Sequence, residues 1–160
     1  MLREKHNMAI AYYHSKIGII EIAGTEEGIL SVNFVENATE ENLTIPNSLQ
    51  ECVEQLDEYF RRERNTFSLM LTLKGTEFQK QVWQELLKIP YGETVTYQDI
   101  AIALGKPSAS QVVGNANAGN PIAIIIPCHR VIGNDGKLTG YAGGLWRKEW
   151  LLKHEGALMI

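Results

Sequence analysis

"TYQDIAIALGKPSASQVVGNANA", residues 96–118, is the stretch on which the fold turns. Thr96 with Asp99 three residues later is a helix-start signal, because each side chain can satisfy a backbone N–H that the first turn leaves open. A short helix, "YQDIAIAL", follows until Gly105 stops it, and Pro107 and Ser108 open a second, "ASQVVGNANA". Ala101, four residues before Gly105, supplies a small side chain where crossing helices must approach closely. Two helices around a three-residue turn predict a helix-turn-helix, although helical hairpins with a glycine turn are also common in proteins that never meet DNA. The second helix is slim: Ala109, Ser110, Gly114, Asn115, Ala116, Asn117 and Ala118 are all small, and it has no pair of side chains to read base edges in the major groove. Such a helix fits the minor groove, about 6 Å wide, with little regard for sequence; equally, it could simply pack tightly on its neighbour.

Upstream, Thr76 with Gln79 repeats the capping pattern. Phe78, Val82, Trp83, Leu86 and Leu87 form the apolar face of a helix that Pro90 and Gly92 end. The first half reads differently. "MAIAYYHS", "GIIEIAGT" and "GILSVNFVE" are rich in β-branched and aromatic residues and are separated by Gly18, Gly24 and Gly28, which predicts three short antiparallel strands. In "SLQECVEQLDEYFRRER", Cys52, Leu56, Tyr59 and Phe60 share one helical face, so Cys52 is read as core; the acidic Glu51, Glu54 and Asp57 beside it disfavour a thiolate. "NTFSLMLTLKG" is read as an extended linker. The chain is therefore expected to be α+β with two domains, residues 1–72 and 73–160.

Bulk properties agree with a globular protein: 160 residues, 44% hydrophobic and 21% charged. The first residues lack the apolar core of a signal peptide, and no segment approaches the ~20 apolar residues of a membrane span, so a cytoplasmic protein without a membrane partner is expected. Two cysteines 76 positions apart give neither a disulfide framework nor a four-cysteine zinc site. Residues 1–72 hold 6 Lys+Arg against 12 Asp+Glu, and residues 73–160 hold 9 against 7, so the second half is the better candidate for meeting an anion. That balance permits nucleic-acid binding without requiring it.

The chemistry lies in "PIAIIIPCHR", residues 121–130. The apolar run is read as a buried strand that delivers Cys128 from the core. Pro127 fixes its own φ and orients the next residue. A free thiol, with pKa near ~8.5, needs a base or a positive charge to act as a nucleophile, and His129 and Arg130 are the adjacent candidates. Neighbouring side chains on an extended chain face opposite ways, so His129 would need a bent backbone or a bridging water to serve the sulfur. Adjacent Cys and His rarely chelate one ion, and only His6, His14 and His154 remain as partners, so no metal or cofactor is expected.

"GNPIAIIIPCHRVIG", with "TYQDIA" upstream and "KEWLLKHEG" downstream, closely resembles the O6-alkylguanine-DNA alkyltransferases, or methylated-DNA-protein-cysteine methyltransferases. The resemblance covers about residues 73–156; the first 72 match only in the order of strands and helix. It implies a ribonuclease H-like N-terminal domain and a winged-helix-like C-terminal domain. It also implies a monomeric single-use enzyme that moves an alkyl group from O6-alkylguanine, and O4-alkylthymine, in double-stranded DNA to its own cysteine after rotating the base out of the helix. Removing an alkyl group from an aryl ether oxygen by displacement suits a thiolate, the softest nucleophile among side chains. By the same resemblance Cys128 is the acceptor, His129 its base through a water, and Glu155 the residue that orients the imidazole. Asn120 ties the helical unit to the active-site segment, and Tyr97 hydrogen-bonds a ring nitrogen as guanine leaves. Tyr141 walls the base pocket, the Ala142 N–H bonds the departing oxygen, and the carbonyls of Cys128 and Val131 recognise the amino group.

DNA contacts are expected along Lys106, Ser108, Ala109, Gln111, Gly114 and Asn115, with Arg130 beside the thiol; for Lys106, Ser108 and Lys137, read as phosphate partners, solvated surface is an equal alternative. One position departs from the family. Nine residues before Asn120, where most relatives carry an arginine that fills the gap left by the rotated base, this chain has Gln111. Ser108 three residues earlier would complete a capping box with it. Ala123 stands where some relatives have proline, which leaves pocket width open. Two other functions compete: alkyltransferase-like lesion binders, which carry tryptophan where this chain has Cys128, and a redox-sensing helix-turn-helix regulator, for which no dimer interface or base-reading side chains are found.

Overall fold

The structure, a computed structural model, describes residues 8–38 and 44–158. The chain divides between Leu73 and Lys74 into two compact units.

In the first unit β1 (Ala9–Ser15), β2 (Gly18–Thr25) and β3 (Gly28–Val35) form an antiparallel sheet in sequential order. The register sets Ala11 opposite Ile22 and Ile22 opposite Val32, so the period of two delivers these buried residues to one face. Helix α1 (Asn47–Phe60) buries Leu49, Cys52, Leu56, Tyr59 and Phe60, a stripe at helical spacing that contacts all three strands. Cys52 is 1% exposed, and burial pushes its thiol up to about 12, which fits a packing role. The segment expected as a linker is hydrogen-bonded to the sheet: Ile29 N–H donates to the Met70 carbonyl and Thr72 N–H to the Ile29 carbonyl, at 2.8 and 2.9 Å. Gly28 allows that approach, since a Cβ there would lie 2.7 Å from the Thr72 hydroxyl oxygen.

The second unit holds α2 (Glu77–Leu86), α3 (Tyr97–Ala103), α4 (Ser110–Ala118) and α5 (Leu145–His154), with β4 (Val95–Thr96) and β5 (Val131–Ile132) as short strands. Thr76 and Thr96 form the reciprocal caps with Gln79 and Asp99 that their spacing predicts. Gly105, at φ 73°, ends α3 with the two back-bonds of a left-handed terminator, Lys106 N–H to the Ala101 carbonyl and Gly105 N–H to the Ile102 carbonyl. Trp83, 1% exposed, donates its indole N–H to the Ala116 carbonyl at 2.9 Å and so ties α2 to α4.

Two local expectations are overturned here. Residues 121–126 are a knot of turns and not a strand: Ile125 N–H bonds the Ala123 carbonyl around Ile124 at φ 70°, and Ile126 N–H bonds the Ile122 carbonyl. Ile122, Ile124, Ile125 and Ile126 are all buried, and the N–H groups of Ile122, Ile125 and Ile126 are satisfied by Asn120 Oδ1 and by the segment's own carbonyls, so their hydrogen bonds are made without a neighbouring strand. Nor do Ser108 and Gln111 form a capping box. The turn closed by Ala109 N–H on the Lys106 carbonyl makes Ala109 the residue before the helix, without a side-chain cap. Ser110 instead donates to the Gln98 side chain at 2.6 Å, and Gln98 donates to the Pro107 carbonyl at 2.7 Å, which pins the start of α4 to α3.

Candidate active site

Cys128 opens a single 3-10 turn, Cys128–Arg130, that leads straight into β5. Pro127, at φ −81° and ψ 62°, bends the chain so that Cys128 N–H bonds the Ile126 carbonyl at 2.7 Å. The turn supplies the bent backbone that the sequence required of any Cys–His pair.

His129 is 0% exposed, and its Nε2 lies 2.8 Å from Glu155 Oε2. Burial lowers the imidazole's pKa more than Glu155 raises it, so the ring is neutral. A neutral ring bonded to a carboxylate through Nε2 carries its proton there, which leaves Nδ1 with a bare lone pair. Nδ1 is buried and has no hydrogen-bond partner among the described residues, so the free lone pair belongs to the nitrogen not engaged by Glu155. Glu155 is also buried. It accepts Arg130 Nε at 2.8 Å on Oε1 and Arg130 Nη2 at 3.0 Å on Oε2, a two-pronged clamp. Burial raises its pKa, but His129 and Arg130 together outweigh that and hold the carboxyl well below the usual range. Glu155 caps α5 four and three residues after the buried Leu151 and Leu152, and Gly156, at φ 78°, then ends the helix with Ala157 N–H on the Leu152 carbonyl.

Arg130 was expected at the DNA. It is 6% exposed, and its third nitrogen, Nη1, donates to the Ile89 carbonyl at 2.7 Å. Its donors face inward, because a buried Glu155 without a cation would be an uncompensated charge.

Three residues that the sequence did not single out join the site. Lys148 is 0% exposed and donates to the Thr139 carbonyl at 2.5 Å. Burial brings its ammonium down to about 8, and its charge favours the Cys128 thiolate. Lys148 stands three, four and seven residues before Leu151, Leu152 and Glu155, on the buried stripe of α5; a lysine at a core position of an amphipathic helix was the available signal. Asn117 is 1% exposed and places Nδ2 3.4 Å from the Cys128 carbonyl, which also accepts the Val131 N–H. Thr139 meets both Lys148 and Tyr97.

Asn120 clamps the turn: Nδ2 donates to the Ile126 carbonyl at 2.8 Å and Oδ1 accepts the Ile122 N–H at 2.9 Å. Its amide also favours the ionised form of the thiol. Tyr97 arrives by strand pairing. Val95 and Thr96 run parallel to Val131 and Ile132, so the first residue of α3 sits beside the turn that carries the thiol. Tyr141 is half-buried with its hydroxyl sealed and unpartnered among the described residues, and burial, followed by the Cys128 charge, raises its pKa. Val131 is buried and Ala142 exposed. Lys106, Ser108, Gln111, Asn115 and Lys137 are exposed, while Ala109 and Gly114 are half-buried. The Lys106 ammonium lies 5.1 Å from the Phe78 ring centroid, a cation–π contact that anchors it over α2.

With this geometry in place, comparison with known proteins identifies the family. Residues 77–157 match the model of the 6-O-methylguanine DNA methyltransferase DNA-binding domain, and residues 8–73 that of its ribonuclease-like domain. The chain belongs to this family. It is 51% identical over 157 residues to the methylated-DNA–protein-cysteine methyltransferase of Methanosarcina acetivorans, covering 94% of this chain and 99% of that protein. The Mycobacterium tuberculosis protein of the same name is 47% identical, covering 88% of each chain. The crystal structure of Mycobacterium tuberculosis O6-methylguanine methyltransferase superposes with a TM-score of 0.84 at 44% identity, covering 94% and 93% of the two chains. That of Mycobacterium tuberculosis OGT in complex with DNA gives 0.82 at 45%, covering 91% of each.

Burial, the largest influence on Cys128, raises its pKa, so the resting group is the thiol and alkyl transfer should accelerate as pH rises from 6 towards 8. Lys148→Met removes a cation that favours the thiolate. Rates measured on a methylated duplex should fall roughly tenfold at neutral pH, and the rising limb should move to higher pH. An unmoved profile would show that Lys148 does not act on the sulfur.

Proposed function

We propose that the chain repairs DNA by direct reversal: it accepts the alkyl group of O6-alkylguanine on Cys128, in one irreversible turnover. The observation that carries this reading is the buried series Cys128, His129, Glu155, in which the imidazole is neutral and its Nδ1 lone pair is free. A thiol that burial keeps protonated needs such a base at the moment of reaction. His129 Nδ1 takes the proton through a bridging water, Sγ attacks the alkyl carbon, the C–O6 bond breaks, and its electrons pass to the purine. Tyr97 gives a proton to a ring nitrogen of the leaving guanine. The imidazolium formed at His129 is stabilised by the carboxylate 2.8 Å away.

Recognition follows from the same residues. The carbonyl of Val131 and that of Cys128 receive the guanine amino group; since Asn117 already donates to the Cys128 carbonyl, the incoming base displaces that long 3.4 Å bond. Tyr141 walls the base and the Ala142 N–H meets the departing oxygen. The exposed side of α4, with Gln111 and Asn115, and the nearby Ser108 face the duplex minor groove. Gly114 lies under the Tyr97 ring, where a Cβ would sit 3.7 Å from it. Rotating the damaged nucleotide into this pocket costs a few kcal/mol, less at a damaged pair. Among the described residues no helix is long and apolar enough to cross a membrane. The protein acts as a monomer in the cytoplasm, with no metal or cofactor.

The test is to incubate the protein with a duplex carrying O6-methylguanine and weigh the intact chain. It should gain the mass of one methyl group, and Cys128→Ser should gain none; unchanged mass would instead favour a lesion binder, and added oxygen a redox sensor. Gln111 leaves the vacated stack without the guanidinium most relatives supply. Gln111→Arg should therefore tighten binding to the methylated duplex by roughly fivefold, about 1 kcal/mol, in a titration at fixed salt; unchanged affinity and rate would show that residue 111 does not support the rotated state.

A further inference from the structure

Thr139 lies outside every role assigned above, yet it touches two groups at the site. The Tyr97 hydroxyl is 3.3 Å from the Thr139 carbonyl oxygen and 3.3 Å from its Oγ1, and either hydroxyl could be the donor in the second contact. The buried Lys148 ammonium donates to the same carbonyl at 2.5 Å. Two glycines border Tyr97 and leave room beside it: a Cβ on Gly114 of α4 would lie 3.7 Å from the ring, and a Cβ on Gly140 would lie 3.6 Å from the hydroxyl.

We propose that Thr139 is a positioning residue for proton delivery by Tyr97, an inference that rests on the transferase reading. Before the base arrives, Tyr97 donates its proton to Thr139. As the S–C bond forms and the C–O6 bond breaks, the purine gains electrons and Tyr97 passes its proton to a ring nitrogen, which leaves negative charge on the phenol oxygen. That oxygen then needs a donor. The carbonyl has none and is already taken by Lys148; Oγ1–H can reverse and donate. No proton leaves Thr139, and the phenolate is later reprotonated from water. The ammonium bound at the same residue adds favourable potential to the charge that develops on Tyr97.

Thr139→Val removes the hydroxyl and keeps the shape; Thr139→Ser keeps the hydroxyl. Single-turnover transfer from a saturating methylated duplex should slow roughly five- to thirtyfold in Thr139→Val, with unchanged DNA affinity and thermal midpoint, and recover in Thr139→Ser. In a Tyr97→Phe background, Thr139→Val should have no further effect. Equal rates for Thr139→Val and wild type, or the same slowing with and without the Tyr97 hydroxyl, would overturn the role. Wild-type protein that transfers no methyl group would refute the functional reading and this role with it; wild-type transfer with a fast Thr139→Val refutes the role alone.

Discussion

A single buried carboxylate organises the second unit. Glu155 receives His129 and Arg130 from the turn that carries the thiol, and the Gly92 N–H, 3.4 Å from Oε1, from the loop after α2. It stands at the C-terminal end of α5, where the helix dipole disfavours a negative charge by about 0.3–1 kcal/mol. Hydrogen bonds to charged groups contribute about 1.5–3 kcal/mol each, so the clamp from Arg130 outweighs the dipole. Removing Glu155 would leave a guanidinium buried alone, a loss of about 3–5 kcal/mol. The interaction that orients the base therefore also holds α5 against the reactive turn.

The other elements set distances around that pair. Pairing of β4 with β5 fixes Tyr97 beside the turn, and Asn120 locks the knot of turns from within. Ile124 at φ 70° is an unfavourable conformation for a β-branched residue, about 1–3 kcal/mol above the ordinary one. Burial of four isoleucine side chains, at roughly 1.5–3 kcal/mol each, readily sustains it. The Asn120 bonds and the turn bonds through residues 122–128 place Cys128 at the head of the 3-10 turn.

Much of this was legible in the sequence because it depends on local chemistry. Capping pairs at Thr76 and Thr96, the terminator at Gly105 and the stripe through Cys52 and Tyr59 each follow from spacing alone. The family motif brought Cys128, His129, Glu155 and Asn120 to attention, and the structure shows His129 bonded to Glu155 and Asn120 bonded across the segment that leads to Cys128. What the sequence hid was long-range. "PIAIII" has strand composition, and composition does not show that its backbone bonds to Asn120 and to itself. Arg130 reads as a surface cation until a carboxylate 25 residues away claims it. Lys148 reads as one more solvated lysine unless its register with Leu151 and Leu152 is followed. Thr139 meets Lys148 through its backbone oxygen and Tyr97 through both that oxygen and its hydroxyl, contacts across 9 and 42 residues that spacing does not announce.

Alkyl transfer to Cys128 depends on the protonation state of His129. Imidazole 15N chemical shifts of the intact protein, followed across neutral pH, report it directly. A neutral ring with the proton on Nε2 and a bare Nδ1, persisting below the pH at which a free histidine charges, is the expected result; an imidazolium, or a proton on Nδ1, would contradict it, because no lone pair would then be available to take the thiol proton.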